Sequence, residues 1–370
     1  MTAISVSRLG PDRIKELTLA ATILASLIAF GLLIDEYFSG RFFNRLTLGV
    51  AIVAVVAAGQ SLVILTRNID LSVGSIVGVS AYVTGQQLGE HPDMHVLVAI
   101  GFAVGLGASL GLINGLLVAV ARIPSIIVTL GTLAIYRTAL INYGDAQTIT
   151  ADTLPSWLVD LPKATVFSIG DYDLRFMFAL AIGVVLALQL AMGRLRLGRR
   201  LYALGSNPDA ARQAGLSINR LTVLAFIGCG AFSGLGGFLF LARFGTITVT
   251  AGQGLELQAI AAAVVGGVST LGGAGTLVGA LFGALLIEVL NQSLVRLPAV
   301  SEFWRDAVLG LLILIAVILD ALLARRLNPG RPRILAGTSS PGRDAAPPST
   351  GSEDRSDRGP PVDSKVGGTP

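Results

Sequence analysis

Eight polar or charged residues stand in or beside long apolar stretches of the 370-residue chain: Gln60, Asn68, Asp70, Asn114, Arg137, Glu256, Glu288 and Asn291. At membrane depth such groups are costly, and they commonly line a pathway or pair with one another. Their chemistry is hydrogen bonding and, for the acids, cation or proton binding. Each also has a plainer role. Asp70 suits the N-cap of a following helix, and Asn114 suits a bond to a neighbouring helix. Arg137, Glu256 and Glu288 could sit near interfaces, where charge is cheap. No constellation for catalysis stands out. None of the three lysines, Lys15, Lys163 and Lys365, is preceded by the glycines of a phosphate-binding GxxxxGK[ST] loop, and HExxH is absent. His91 and His95 lie near Glu90 and Asp93 in one polar loop; the four could bind a metal, but a solvated loop is the plainer reading. The single Cys229 excludes a disulfide framework or a thiolate metal site. The expectation is therefore no catalytic residue, no metal and no cofactor held by this chain.

The elements that must position these residues are apolar helices. The chain is 53% hydrophobic and 14% charged, and several apolar runs reach the roughly 18 residues of a bilayer span. Runs at 17–34, 46–65, 96–120, 124–141, 176–192, 221–242 and 307–323 read as spans. A helix restarting after Asp70 reaches about Thr84. The stretch 259–290 reads as a broken helix, interrupted at Gly266–Gly273. About ten crossings result, with both ends inside. Residues 1–16 form a cytoplasmic N-terminus and 17–323 the membrane domain. Residues 324–370, rich in Pro, Gly, Ser and charge, form a disordered cytoplasmic tail. The fold class is an all-α polytopic membrane protein. Five crossings fall on each side of an acidic loop at 143–175, so the halves are inverted, as in many transporters. Ala58-Gly59-Gln60 recurs as Ala251-Gly252-Gln253, each followed by an acid and a broken helix. Glycines four residues apart, among them Gly107, Gly111 and Gly115, predict close helix contacts.

Residues 193–220 carry Arg194, Arg196, Arg199, Arg200, Arg212 and Arg220 against one acid, Asp209. Arginine-rich short loops stay on the cytoplasmic side. Loop arginines of this kind account for the formal net charge of +4, and no nucleic-acid partner is expected. Asn207 can cap a helix, Pro208 suits its first position and Gly215 can end it. The pattern predicts a helix of about two turns over 208–214. So short a helix is unstable alone and needs a surface to dock on. A connector that only sets topology is the plainer reading.

Four stretches in order carry a resemblance: TRNIDLSVGSIVG (66–78), INGLLVAVARIPSIIVTLGTLAIYR (113–137), GRRLYALGSNPDAARQAGL (198–216) and GLELQAIAAAVVGGVSTLGGAGTLVGALFGALL (254–286). Together they resemble the ribose/xylose-type permeases of bacterial ABC sugar importers, over roughly 46–323. The stretch 290–310 looks most like the rhamnose and autoinducer-2 members. The resemblance implies an inner-membrane permease paired with a second, identical or different, permease chain. It also implies a cytoplasmic ATPase, holding ATP and Mg, and a periplasmic sugar-binding protein. It places ATPase coupling on Gly198, Arg199, Tyr202, Gly205, Asn207, Ala210, Ala211, Arg212 and Gly215. The path is expected among Gln60, Asn68, Asp70, Asn114 and Glu256, as a weakly binding conduit. The competing class is an ion-driven secondary transporter, with Asp70 as the buried acid.

Overall fold

A computed structural model of the chain describes residues 11–145, 147–297 and 304–327. The expectations for residues 1–10, for 300–303 of the polar stretch and for the tail from Asn328 lie outside the described residues, while 304–306 of that stretch are helical.

The elements run α1 (Pro11–Leu33), α2 (Gly40–Leu65), α3 (Val73–Glu90), α4 (Val96–Ala119), α5 (Ser125–Tyr143) and the short α6 (Ser156–Asp160). Then follow β1 (Thr165–Ile169), β2 (Tyr172–Arg175), α7 (Phe176–Arg194), α8 (Arg196–Ser206) and α9 (Pro208–Gln213). The last four are α10 (Ile218–Phe244), α11 (Leu255–Val265), α12 (Leu277–Leu294) and α13 (Trp304–Leu327). Among the described residues seven helices are long and apolar enough to cross a bilayer: most of α1, and all of α2, α4, α5, α7, α10 and α12.

α2 is the central post. Every residue from Gly49 to Leu65 is buried, as expected of a helix apolar on all sides. Around it pack α10, α12, α7 and α11. The spacing of small residues has its predicted consequence where α4 crosses α10. A Cβ at Gly107 or Gly111 would collide with the Gly230 or Phe226 carbonyl, and one at Gly234 with the Ala103 carbonyl. Backbone lies on backbone there, which only glycine allows.

Three expectations change. The fold is helical but not purely so: 165–175 forms an antiparallel hairpin. Its strands are short and solvent-facing, so they lack the alternation that marks a half-buried strand in sequence. The hairpin is tied to the start of α2, where the Tyr172 hydroxyl donates to the Phe38 carbonyl at 2.9 Å. The Arg175 guanidinium reaches the Asn44 side chain at 3.0 Å. The arginine-rich loop holds a second helix, α8, before the predicted one. The Ala-Gly-Gln echo does not superpose either: 58–60 lies inside α2, whereas 251–253 lies in the turn before α11. What does correspond is the acid after each turn. Asp70 precedes α3, and Glu256 stands in the first turn of α11. The starts of α3 and α11 pack on each other: a Cβ at Gly74 would strike Glu256 and the Gly252 carbonyl.

Candidate functional site

Asn207 closes the start of α9 as its type predicts, its side-chain oxygen accepting from the Asp209 and Ala210 amides, both at 3.1 Å. At the other end Gly215 takes φ +79°. The Leu216 amide donates to the Ala211 carbonyl and the Gly215 amide to the Arg212 carbonyl, each at 3.0 Å. That pair of bonds is a Schellman cap, and it ends the helix at Gln213, one residue short of the expected bound. The predicted coupling residues divide into two faces. Gly198, Gly205 and Ala211 are buried and Tyr202 half-buried, with Leu201 and Leu204 buried beside them, while Arg199, Asn207, Ala210, Arg212 and Gly215 are exposed. Arg199 and Arg200 stand exposed near the start of α8, and on α9 Arg212 is 3.9 Å from Asp209.

The inward face of α8 rests on the two breaks in the helical bundle. The Leu65 carbonyl, at the end of α2, accepts from the Gly273 amide at 3.0 Å. Gly273 lies in the turn between α11 and α12. Over this junction sits the end of α8. The Arg67 Nε donates to the Gly205 carbonyl at 2.6 Å, and its Nη2 to the Ser206 carbonyl at 2.9 Å. The Tyr202 hydroxyl donates to the Gly275 carbonyl at 2.8 Å. Arg67 is held at φ +66°, a conformation rare for a residue with a side chain. A Cβ at Gly205 would run into the Leu65 carbonyl and the Gly273 backbone. An exposed loop is thus bonded directly to the segments that interrupt both broken helices.

The expected path residues are only partly together. Asp70 accepts from the Ser72 amide and hydroxyl at 2.9 and 2.7 Å. It closes a local turn, with Ser72 rather than Asp70 at the N-cap position of α3. Asn114 donates to the Ser72 hydroxyl at 2.7 Å and accepts from Tyr136 at 3.1 Å. The Gln60 carboxamide meets the Asp70 backbone N–H and C=O at 3.1 and 3.2 Å. Gln60, Asp70 and Asn114 are all fully buried, so they form one sealed network. Asn68 bonds locally to Thr66. Glu256 accepts from the Gly254 amide at 3.2 Å, and Arg137 ties α5 to the same turn through the Val249 and Ala251 carbonyls.

None of those five path residues lines a cavity of about 590 Å³ that is walled by α2, α10, α12, the start of α11 and the turn at 245–254. It lies at the hairpin end of the bundle. Its charged groups are Arg45, Arg243, Glu288 and Arg296. Arg45, Arg243 and Arg296 were not legible as a set, because they lie far apart in sequence, in α2, in α10 and in the turn after α12. The available signal was the opposite charge of Arg243 and Glu288 within apolar helices. His95 caps α4, accepting from the Leu97 amide at 3.2 Å. Gly107-Ala108-Ser109-Leu110-Gly111 has the letters of a nucleophile elbow. It lies wholly within α4, however, with the Ser109 hydroxyl bonded to the Gly105 carbonyl at 2.8 Å, so the sharp strand-to-helix turn is missing.

Residues 42–317 match the family described as branched-chain amino acid transport system / permease component. The chain belongs to this permease family. It is 38% identical over 313 residues to the autoinducer 2 import system permease protein LsrC of Enterobacter sp. (strain 638), covering 83% of this chain and 88% of that one. The LsrC proteins of Yersinia enterocolitica and Yersinia pestis (strain Pestoides F) are 36% and 37% identical over 311 residues. Those matches cover 84% of this chain and 83% and 85% of theirs. No solved structure matches the chain. The protein is a multi-pass inner-membrane permease subunit of the ABC importer type, as the four motifs implied. It is a transport subunit.

Proposed function

We propose that this permease imports a small sugar-like molecule of the autoinducer-2 or rhamnose kind, powered by a separate cytoplasmic ATPase that docks on α8 and α9. ATP and Mg would be held by that partner, a periplasmic binding protein would deliver the substrate, and a second permease chain would complete the path. The observation that carries the proposal is the two-faced loop. Its outer face is exposed and arginine-rich, and its inner face is hydrogen-bonded to both helix breaks. Movement of a docked partner would therefore reach α2, α3, α11 and α12 without an intervening flexible segment. The LsrC relatives support the substrate class.

In this account α1, α2, α3, α4, α5, α7, α10, α11, α12 and α13 make ten crossings, with both ends cytoplasmic. The head-to-head packing of the α3 and α11 starts, each with its acid, supports two inverted halves. Gln60, Asp70 and Asn114 brace the wall of the path rather than line it, and the outer cavity is where polar side chains are open. In reconstituted vesicles, uptake should stop when the ATPase is inactivated by substitution and persist when the proton gradient is collapsed at constant ATP. Uptake that follows the gradient and ignores ATP would make the protein an ion-driven carrier.

A further inference from the structure

The cavity at the hairpin end holds two features that helix packing does not explain. The Asn291 side-chain oxygen is buried and makes no hydrogen bond, although Asn291 is only 7% exposed and lines the cavity. A buried amide left without a partner costs roughly 1–3 kcal/mol, so native chains rarely keep one unless something else bonds to it. One turn earlier on α12, Glu288 is 5% exposed. Its carboxylate accepts from the Gln292 amide at 2.8 Å and faces the Arg243 guanidinium of α10 at 3.8 Å. Room for that carboxylate exists because α2 carries glycine opposite it: a Cβ at Gly49 would overlap Glu288. A glycine accommodating a charged pair inside apolar helices marks a built site, since such charges are otherwise excluded from spans.

We infer that Asn291, with the Arg243–Glu288 pair, forms a binding subsite for a small polyhydroxylated molecule within the permease itself. The inference rests on the sugar-like import proposed above. The chemistry fits that class. An amide offers both a donor and an acceptor, the guanidinium offers only donors and the carboxylate only acceptors. Vicinal hydroxyls can satisfy all three at once. Thr246, Thr248, Thr250, Gln253 and Gln258 add neutral donors and acceptors around the same space. Its volume of about 590 Å³ lies inside the usual range for small-molecule sites. The permease would then select its cargo a second time after release from the binding protein, instead of acting as a passive conduit.

Cys229 is fully buried, so a cysteine placed at Asn291 can be followed against a silent background. In vesicles carrying the whole complex, Asn291→Cys should react with a small thiol reagent added from outside, while the unsubstituted protein does not. Autoinducer-2, L-rhamnose and D-ribose would be tested as protectants at millimolar concentration, and at least one should slow labelling by about tenfold or more, as occupancy well above its dissociation constant requires. With the binding protein in excess, Asn291→Leu should raise the KM for uptake about tenfold, whereas Asn291→Gln should retain most of the affinity. Labelling that no sugar slows, no labelling at all, or an unchanged KM in Asn291→Leu would overturn the subsite. Failure of the import proposal is separate: the unsubstituted complex would take up none of the three with ATP.

Discussion

Asp70 is a carboxylate with no solvent exposure, and its surroundings decide whether it works as an ion carrier or as a brace. A carrier site needs a route for its ion. Asp70 instead meets the Ser72 amide and hydroxyl, with the Asn114 amide 3.4 Å away. Asn114 is in turn held by Tyr136, whose hydroxyl also bonds the Leu110 carbonyl at 3.0 Å. The network joins the turn before α3 to α4 and α5. Asp70→Asn keeps an acceptor for Ser72 and should leave ATP-driven uptake near normal. Asp70→Leu strands the Ser72 amide and the Asn114 side chain, and should lower stability by roughly 1–3 kcal/mol, read as earlier melting of the purified permease. Loss of uptake in Asp70→Asn at normal abundance would return Asp70 to the ion-carrier role. The residue and its turn were legible in the sequence, because Asp before a restarting helix has a local meaning. The link through Asn114 to Tyr136 was not, since nothing in sequence brings α4 and α5 to the turn before α3.

At the scale of elements, two glycines of the loop do different work. Gly215 faces open space and is needed for its positive φ alone, whereas Gly205 has ordinary backbone geometry and is needed because no Cβ fits between α8 and the breaks. Gly205→Val should push α8 off the Leu65–Gly273 junction and break the grip of Arg67. The outer face of α9 would remain intact. The expected outcome is an ATPase that still co-purifies with the permease but drives uptake at least about tenfold more slowly, on the scale of a lost charge-assisted hydrogen bond pair. Measured at matched abundance, uptake equal to the unsubstituted protein would remove α8 from the transmission route. The helix α9 was legible because Asn207, Pro208 and Gly215 are local stop and start signals. α8 was hidden because its arginines read first as a topology signal, and its inward residues Leu201, Gly205 and Tyr202 gain meaning only from the breaks they touch. That α4 packs closely on another helix was legible from glycine spacing, but that the other helix is α10 was not. The hairpin was not, because five exposed residues leave no burial pattern to read.

For the whole molecule, the proposed ten crossings put α8 and α9 on the opposite side of the membrane from the 144–175 segment. Ser206 and Asp152 are both exposed, and the buried Cys229 gives little background. Ser206→Cys should label from the cytoplasm and Asp152→Cys from outside. Labelling of both from one side would contradict the inverted halves. That the chain is a polytopic helical membrane protein was legible from apolar runs, while the cavity at the hairpin end was not, since Arg45, Arg243 and Arg296 come together only when α2, α10 and the end of α12 pack.

The claim that joins these scales is that the exposed face of α9 receives the ATPase. Valine at Gly215 would have to adopt a left-handed backbone at a cost of roughly 1–2 kcal/mol, in a helix of six residues that has little to absorb it. Arg212→Glu would reverse charge at a position that is exposed and outside the apolar spans. The deciding measurement is co-purification of the ATPase with Gly215→Val and with Arg212→Glu, alongside permease abundance in the membrane. The account predicts that both variants insert at normal abundance and lose most of the bound ATPase. Full ATPase binding and full uptake in both would mean that the loop is only a connector.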